Sequence, residues 1–213
     1  MGAPRHYAQE IPQRCGFLID QLYIRVKRGL PGDAIFGGAL GTTLLLALAT
    51  PMVVFPVERI LKAIEGKRTI ADDRAWGPVL SDKVLATFTS GRSLAQTDFV
   101  SPGKWSYLKG LDRFDIGGPW PDGVLNALAH QGAFHNANEM QARQFIVDLR
   151  NALSHGGVTY LNAAGHHVYD DEAKMLAFAA HDTGRGGTLN ILRVTEDDFR
   201  DFLTIWSKWL NDT

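Results

Sequence analysis

The segment RNALSHGG, residues 150–157, carries the side chains of this chain that are best suited to chemistry. An arginine stays charged and can hold two phosphate oxygens in its planar fork, whereas a histidine titrates near neutral pH and can give or take a proton. A cation, an amide, a hydroxyl and an imidazole lie on neighbouring turns, as Arg150, Asn151, Ser154 and His155. Together these groups can bind a phosphate and move a proton without a metal ion.

A helical projection separates these polar residues from the apolar residues around them. Because each helical residue turns by about 100°, all four polar side chains fall within an arc of about 140°. The opposite arc is apolar and consists of Phe145, Ile146, Leu149, Ala152 and Leu153. The apolar arc predicts that the helix faces a core, and the glycines at 156 and 157 predict that it ends beside the imidazole.

An arginine followed directly by asparagine, with a histidine five residues after the arginine, resembles the motif of the HEPN superfamily. The apolar face behind the motif, a helical N-terminal half and a closing amphipathic helix are similar to that family too. The resemblance implies a helical dimer and, as for many HEPN proteins, a metal-independent ribonuclease. It also implies that Arg150 and His155 are the catalytic residues and that Asn151 is the supporting polar one.

Cleavage of RNA through its own 2′-hydroxyl needs a base, a cation beside the phosphorane and an acid for the leaving oxygen. We interpret His155 as the base or acid, Arg150 as the phosphate-binding cation and Asn151 as an orienting group. Ser154, about one turn from Arg150, is expected to fix the guanidinium and to help bind substrate. Because one imidazole serves poorly as both acid and base, a homodimer that pairs two motif helices is expected.

The sequence therefore predicts a metal-independent endoribonuclease that needs no cofactor and takes RNA as its substrate. The resemblance further implies a toxin or defence role, with a nucleotidyltransferase antitoxin as the partner. An alternative stays open: a non-catalytic HEPN-like protein that binds a nucleotide or RNA, or serves as a scaffold. The net charge of −1 gives no general support for nucleic-acid binding and favours this alternative slightly.

Length and composition indicate a soluble globular protein. Apolar residues make up 45% and charged residues 21% of 213 residues, which predicts one domain over residues 1–213. The resemblance implies that this domain is HEPN-like. The lone cysteine, Cys15, excludes an internal disulfide framework and suits a cytoplasmic protein. A modest basic surface, or simply a solvated helix face, is expected from Arg5, Arg14, Arg25, Lys27 and Arg28.

The first half of the chain is predicted to be helical. Apolar residues recur at helical spacing over residues 7–28, and Asp33 is expected to cap a second helix. Residues 34–57 carry no charge, and we predict one buried helix that ends near Ala49 and another that Thr50 caps with Pro51 at its first position. A membrane span over residues 34–57 is the less favoured alternative. A short helix is expected over residues 79–89.

The second half mixes helices and strands. Helices are expected over residues 124–130 and from Asn136 or Asn138 to Ser154, and Thr195 is expected to cap a last, amphipathic helix. Period-two segments between these helices predict four strands, at residues 158–161, 167–169, 175–180 and 189–194, with residues 183–187 as a hairpin loop. The expected fold is mainly α, a HEPN-like helical bundle with a small antiparallel β insertion between the motif helix and the C-terminal helix.

Two further groups of residues have a structural interpretation. Trp105 and Trp120 lie in loops rich in glycine and proline, where packing over the core is expected and base stacking is the alternative. Histidines and aspartates with the ligand types of a zinc or manganese site lack metal-binding spacing, so no metal site is predicted. This second group comprises His130, His135, His166, His167, Asp170 and Asp171.

Overall fold

A computed structural model describes residues 2–37, 39–75, 77–167, 172–182 and 187–212 of the chain. The chain forms two compact units. Unit 1 comprises residues 1–92, 97–100 and 201–213, and unit 2 comprises residues 93–96 and 101–200. The single domain over residues 1–213 stays a prediction.

Unit 1 is helical. It contains α1 (Tyr7–Lys27), α2 (Gly41–Pro56), α3 (Lys62–Ile64), α4 (Pro78–Phe88) and the second half of α8 (Glu196–Asn211). The helix predicted over residues 7–28 is therefore confirmed as α1, and the one predicted over residues 79–89 as α4. A four-residue 3₁₀ turn, Asp33–Phe36, takes the place of the longer helix that Asp33 was expected to cap.

Aromatic rings fill the core of unit 1. Phe99 lies 5.5 Å from Phe88, 5.3 Å from Trp206 and 5.3 Å from Trp209 between ring centroids. Trp206 and Trp209, one turn apart on α8, stack at 5.2 Å with an interplanar angle of 15°. Buried aromatic pairs contribute more than their buried area alone, so α8 supplies much of this core.

The expected break at Thr50 is wrong, because α2 runs through Thr50 and Pro51 to Pro56. The Thr50 hydroxyl donates to the carbonyl of Leu46 within the helix at 3.0 Å and does not cap a new one. Pro56 has no N–H for the carbonyl of Met52, four residues earlier, and the indole Nε1 of Trp206 donates to that carbonyl at 2.8 Å instead. Tertiary packing thus replaces the lost helical bond, and a π-helical turn, Val57–Leu61, joins Pro56 to α3.

The segment Gly41–Ile64 is long and apolar enough to cross a bilayer, with a mean hydropathy of 1.8 over its best window. In unit 1 it packs against α1, and Leu45, Ala49 and Met52 are fully buried. Of that window, 44% is buried, so one face of the segment packs in the core of unit 1 and the rest of its surface lies outside that core.

Unit 2 combines helices with a four-stranded antiparallel sheet. The helices are α5 (Asp122–Ala129), α6 (Gln131–Glu139) and α7 (Ala142–His155), joined by the first residues of α8. The strand order is β1-β4-β3-β2, with bounds β1 (Ser106–Asp112), β2 (Val158–Leu161), β3 (Met175–His181) and β4 (Thr188–Thr195). The chain therefore combines a mainly α fold with a small antiparallel sheet.

Of the four strands predicted after the motif helix, those at residues 158–161, 175–180 and 189–194 are confirmed as β2, β3 and β4. The placement of the sheet as an insertion between the motif helix and the C-terminal helix is wrong in one respect, since β1 precedes α7. A register shift between Leu108 and Leu111 breaks the period of two in β1, and Gly110 lies there with φ +69°. The predicted strand over residues 167–169 and the loop over residues 183–187 fall largely outside the described residues.

The motif helix begins later than predicted. Asn136 and Asn138 lie inside α6, whereas α7 starts at Ala142 after an extended Met140-Gln141 pair. The Met140 carbonyl accepts a hydrogen bond from the backbone N–H of Leu94 at 2.7 Å. This bond stabilises the extended conformation that separates α6 from α7.

The core of unit 2 is built around Trp105. Its ring centroid lies 4.8 Å from Phe145 of α7, 6.1 Å from Phe178 of β3 and 6.2 Å from Phe199 of α8. Trp120 is 5% exposed, so both loop tryptophans pack in the core as predicted. The expected cap of α8 is confirmed as well, since the Asp198 backbone N–H donates to the Thr195 hydroxyl at 3.1 Å.

Candidate active site at the end of the motif helix

Helix α7 ends as its sequence predicts. Gly156 adopts a left-handed φ of +73°, and the backbone N–H of Gly157 donates to the carbonyl of Ala152 at 2.8 Å. These are features of a Schellman motif, which favours glycine at the left-handed position because a Cβ is strained there. The side chain of His155 therefore sits on the last helical residue, where the chain turns away.

Gly157 joins the end of α7 to the sheet. Its carbonyl accepts a hydrogen bond from the backbone N–H of Ala179 at 2.7 Å, and the next residue, Val158, pairs with Phe178. A Cβ on Gly157 would lie 2.1 Å from the backbone oxygen of Ala179. Only glycine permits this approach, which sets His155 beside the end of β3.

A cleft of about 530 Å³ opens where α7 meets this end of the sheet. Most of its lining surface is apolar, here called the apolar wall, and its volume lies in the range of small-molecule sites. Four of its lining residues carry polar side chains, namely Arg113, Asn151, His155 and His181. Its other lining residues are Phe114, Ile116, Gly156, Gly157, Ala179, Ala180 and Leu189.

The predicted site residues occupy different surroundings. Asn151 and His155 line the cleft, and His155 is exposed. Arg150 is half-buried, does not line the cleft, and donates from Nη1 to Oδ1 of Asn151 at 2.7 Å. Burial lowers the pKa of the Arg150 guanidinium, which nevertheless stays charged at neutral pH. Ser154 is exposed and lies outside the cleft lining, so its substrate-binding role stays a prediction.

Two residues of the cleft were not singled out in the sequence. Arg113 directly follows β1, and His181 is the last residue of β3. Both reach the cleft only through strand pairing, because β1 pairs with β4 and β4 pairs with β3. No short motif connects them to residues 150–157, and β1 itself was not predicted.

Comparison with known proteins adds the family. A family model described as HEPN pEK499 p136 matches residues 1–213. The chain belongs to this HEPN family. No curated protein and no solved structure matches it significantly.

In this HEPN chain the motif helix is fixed to the sheet by a buried carboxylate. Asp148 of α7 is 2% exposed and accepts hydrogen bonds from Gln144 Nε2 at 2.7 Å, Asn190 Nδ2 at 3.2 Å and the Tyr107 hydroxyl at 3.5 Å. Tyr107 lies on β1 and Asn190 on β4, so these bonds join α7 to two strands. Burial, with a smaller contribution from the charge of Asp182, raises the pKa of Asp148 to about 6.

The raised pKa predicts a pH-dependent stability. Between about pH 4 and pH 6 the folded protein keeps a proton on Asp148 that the unfolded chain has lost, so stability falls as the pH rises through this window. We expect Asp148 to lower the free energy of unfolding by about 2 kcal/mol between pH 4 and pH 7. Urea denaturation at a series of pH values measures how steeply the free energy of unfolding falls with pH.

Two variants isolate the effect of Asp148. Asp148→Asn is expected to flatten the slope, whereas Asp112→Asn, at an exposed position, is expected to keep it. Parallel curves for the wild type and Asp148→Asn would show that another group causes the pH dependence.

The described residues contain no group of three or more His, Cys, Asp and Glu side chains that is arranged to hold a metal ion. Asp170 and Asp171, which belong to the histidine–aspartate group named in the sequence analysis, lie outside the described residues. The absence of a metal site and of a cofactor stays a prediction.

Proposed function

We propose that this HEPN chain is a metal-independent endoribonuclease that cleaves RNA through the 2′-hydroxyl. The observation that carries the proposal is the cleft in which the imidazole of His155 and the amide of Asn151 meet an apolar wall. This reaction needs a group that transfers a proton, a hydrogen-bond donor to the phosphate and a surface that holds a base.

Each motif residue has a role that its contacts support. His155, exposed at the end of α7, exchanges a proton with the ribose or the leaving oxygen. Arg150 holds the carbonyl oxygen of the Asn151 amide, so the NH₂ group of that amide is oriented as a donor toward a phosphate. The half-buried guanidinium, bonded to the cleft residue Asn151, also adds positive potential near the cleft, where partial burial strengthens its effect on a developing phosphorane.

The apolar wall suits a nucleobase. Phe114, Ile116 and Leu189 contribute to it, and the Phe114 ring is supported edge-on by Trp120 at 5.3 Å between centroids. Aromatic and aliphatic surfaces hold bases of different identity because every base has a π-face. The wall therefore favours a single-stranded RNA whose base is unstacked, since a paired base cannot reach it.

Because the chain belongs to a HEPN family, the proposal also covers its partners and its biological role. We propose that the protein is a cytoplasmic homodimer with a toxin or defence role and that its antitoxin is a nucleotidyltransferase. Analytical ultracentrifugation tests the dimer, and co-purification with the product of a neighbouring gene tests the antitoxin.

The purified protein is expected to cleave single-stranded RNA in the presence of EDTA. The products should carry a 2′,3′-cyclic phosphate and a 5′-hydroxyl, because the 2′-oxygen attacks the phosphorus and the 5′-oxygen leaves. Mass spectrometry of the fragments identifies these ends. An RNA with a single 2′-deoxynucleotide at the cleavage site is the matched control and should stay intact there. Loss of cleavage on adding EDTA would contradict the proposed mechanism.

The second candidate is a non-catalytic protein that binds RNA or a nucleotide. The position of Arg150, which is bonded to Asn151 and does not line the cleft, favours it. A net charge of −1 points the same way. Tight RNA binding without turnover by the wild-type protein would select this candidate.

A further inference from the structure

The cleft is lined by a second histidine, His181, in addition to His155. We infer that these two histidines divide the acid and base roles within one chain and that Arg113 binds the reacting phosphate. The inference rests on the proposed ribonuclease activity. In this mechanism His181 takes the role of the second histidine, which a dimer partner would otherwise supply.

The strand register explains why the two histidines line the same cleft. Gly157 lies opposite Ala179 at the start of the β2–β3 pairing, and β2 and β3 run antiparallel. Two residues before Gly157 is His155, and two residues after Ala179 is His181. Both side chains therefore leave the pairing at the same end of the sheet, and both are exposed there.

The same register brings Arg113 to this end. His181 of β3 pairs with Leu189 of β4, and the neighbouring Thr188 pairs with Asp112, the last residue of β1. Arg113 follows directly, is exposed and lines the cleft. Because Arg150 is half-buried and lies outside the lining, Arg113 is the guanidinium that the cleft presents to a bound phosphate.

Two imidazoles and a guanidinium complete the reaction without a further reagent. One neutral imidazole takes the proton of the 2′-hydroxyl as the 2′-oxygen forms its bond to phosphorus. The bond from phosphorus to the 5′-oxygen breaks, and the other, protonated imidazole gives its proton to that oxygen. One proton is taken and one is given, and the guanidinium offsets the charge that builds on the phosphorane.

The inference predicts that His181→Gln lowers the rate of RNA cleavage by about 100-fold or more. The variant should also lose one limb of the bell-shaped pH–rate profile, since only one imidazole then titrates in the reaction. His166→Gln, at another exposed histidine of unit 2 outside the cleft, is the matched control and should stay within about twofold of wild type. Circular dichroism should show the wild-type fold for both variants, since both side chains are exposed.

A binding measurement separates the inference from the proposed activity. NMR titration with uridine 3′-monophosphate should shift the imidazole resonances of both His155 and His181 and leave those of His166 in place. Arg113→Ala should weaken the binding of this nucleotide about tenfold or more, and Arg113→Lys should restore part of it.

The possible failures are distinguishable. Full cleavage by His181→Gln with an unchanged pH profile would overturn the inference and leave the proposed ribonuclease intact. A shift at His155 without one at His181 would do the same. RNA left uncut by the wild-type protein would overturn both.

Discussion

Replacing His155 by alanine is expected to reduce RNA cleavage by about 10³-fold, within the usual range for loss of a positioned acid or base. The side chain is exposed at the end of α7, so its removal leaves no cavity and the fold should persist. Initial rates on a fluorescent single-stranded RNA measure the loss, and thermal melting confirms that the variant is folded.

His135→Ala is the matched control, because His135 is another exposed helical histidine of unit 2 that lies outside the cleft. It should cleave at the wild-type rate. Arg150→Ala is expected to lose activity comparably, since Asn151 then loses the partner that orients its amide. Equal cleavage by the wild type and His155→Ala would remove the proposed function.

Gly157→Ala is expected to destabilise unit 2 by about 3 kcal/mol or more, through overpacking against backbone that cannot move aside. The added methyl group would lie 2.1 Å from the carbonyl oxygen of Ala179, so either the β2–β3 pairing or the end of α7 must shift. Cleavage should fall together with stability, because the same displacement moves His155 away from the sheet.

The neighbouring glycine provides a matched control. Gly156→Ala places a Cβ in open space and meets only the cost of a left-handed conformation, about 1–2 kcal/mol. Urea denaturation of both variants compares the two costs. A Gly157→Ala protein as stable as Gly156→Ala would show that the end of the motif helix adapts freely to the sheet.

Local signals in the sequence predicted local structure well. The apolar arc of residues 145–153, the Gly156-Gly157 ending and the Thr195 cap each depend on a few neighbouring residues, and all three are confirmed. The continuity of α2 was missed because Thr50 followed by Pro51 is typical of a helix start, whereas here the Thr50 hydroxyl bonds back to Leu46 within the helix. The bond from Trp206 that compensates for Pro56 left no local signal either, because Trp206 lies 154 residues after the carbonyl it bonds. Strand β1 was missed because its bulge at Gly110 interrupts the alternation of buried and exposed residues.

The candidate site divides in the same way. Asn151 and His155 line the cleft and were found from the motif, because their spacing on one helix is visible in the sequence. Arg113 and His181 were missed, because the pairing of β1, β4 and β3 brings them there and strand pairing leaves no fixed spacing in the chain.

The bond between Trp206 and the Met52 carbonyl has a consequence for biosynthesis. A ribosome releases residues 1–92 early, yet that stretch still lacks the indole that compensates for Pro56 and the aromatic rings that α8 adds to its core. Unit 2 is complete at residue 200, before those rings have been translated. Unit 1 therefore cannot complete its aromatic core until residues 201–211 have been translated, long after its first helices have been made.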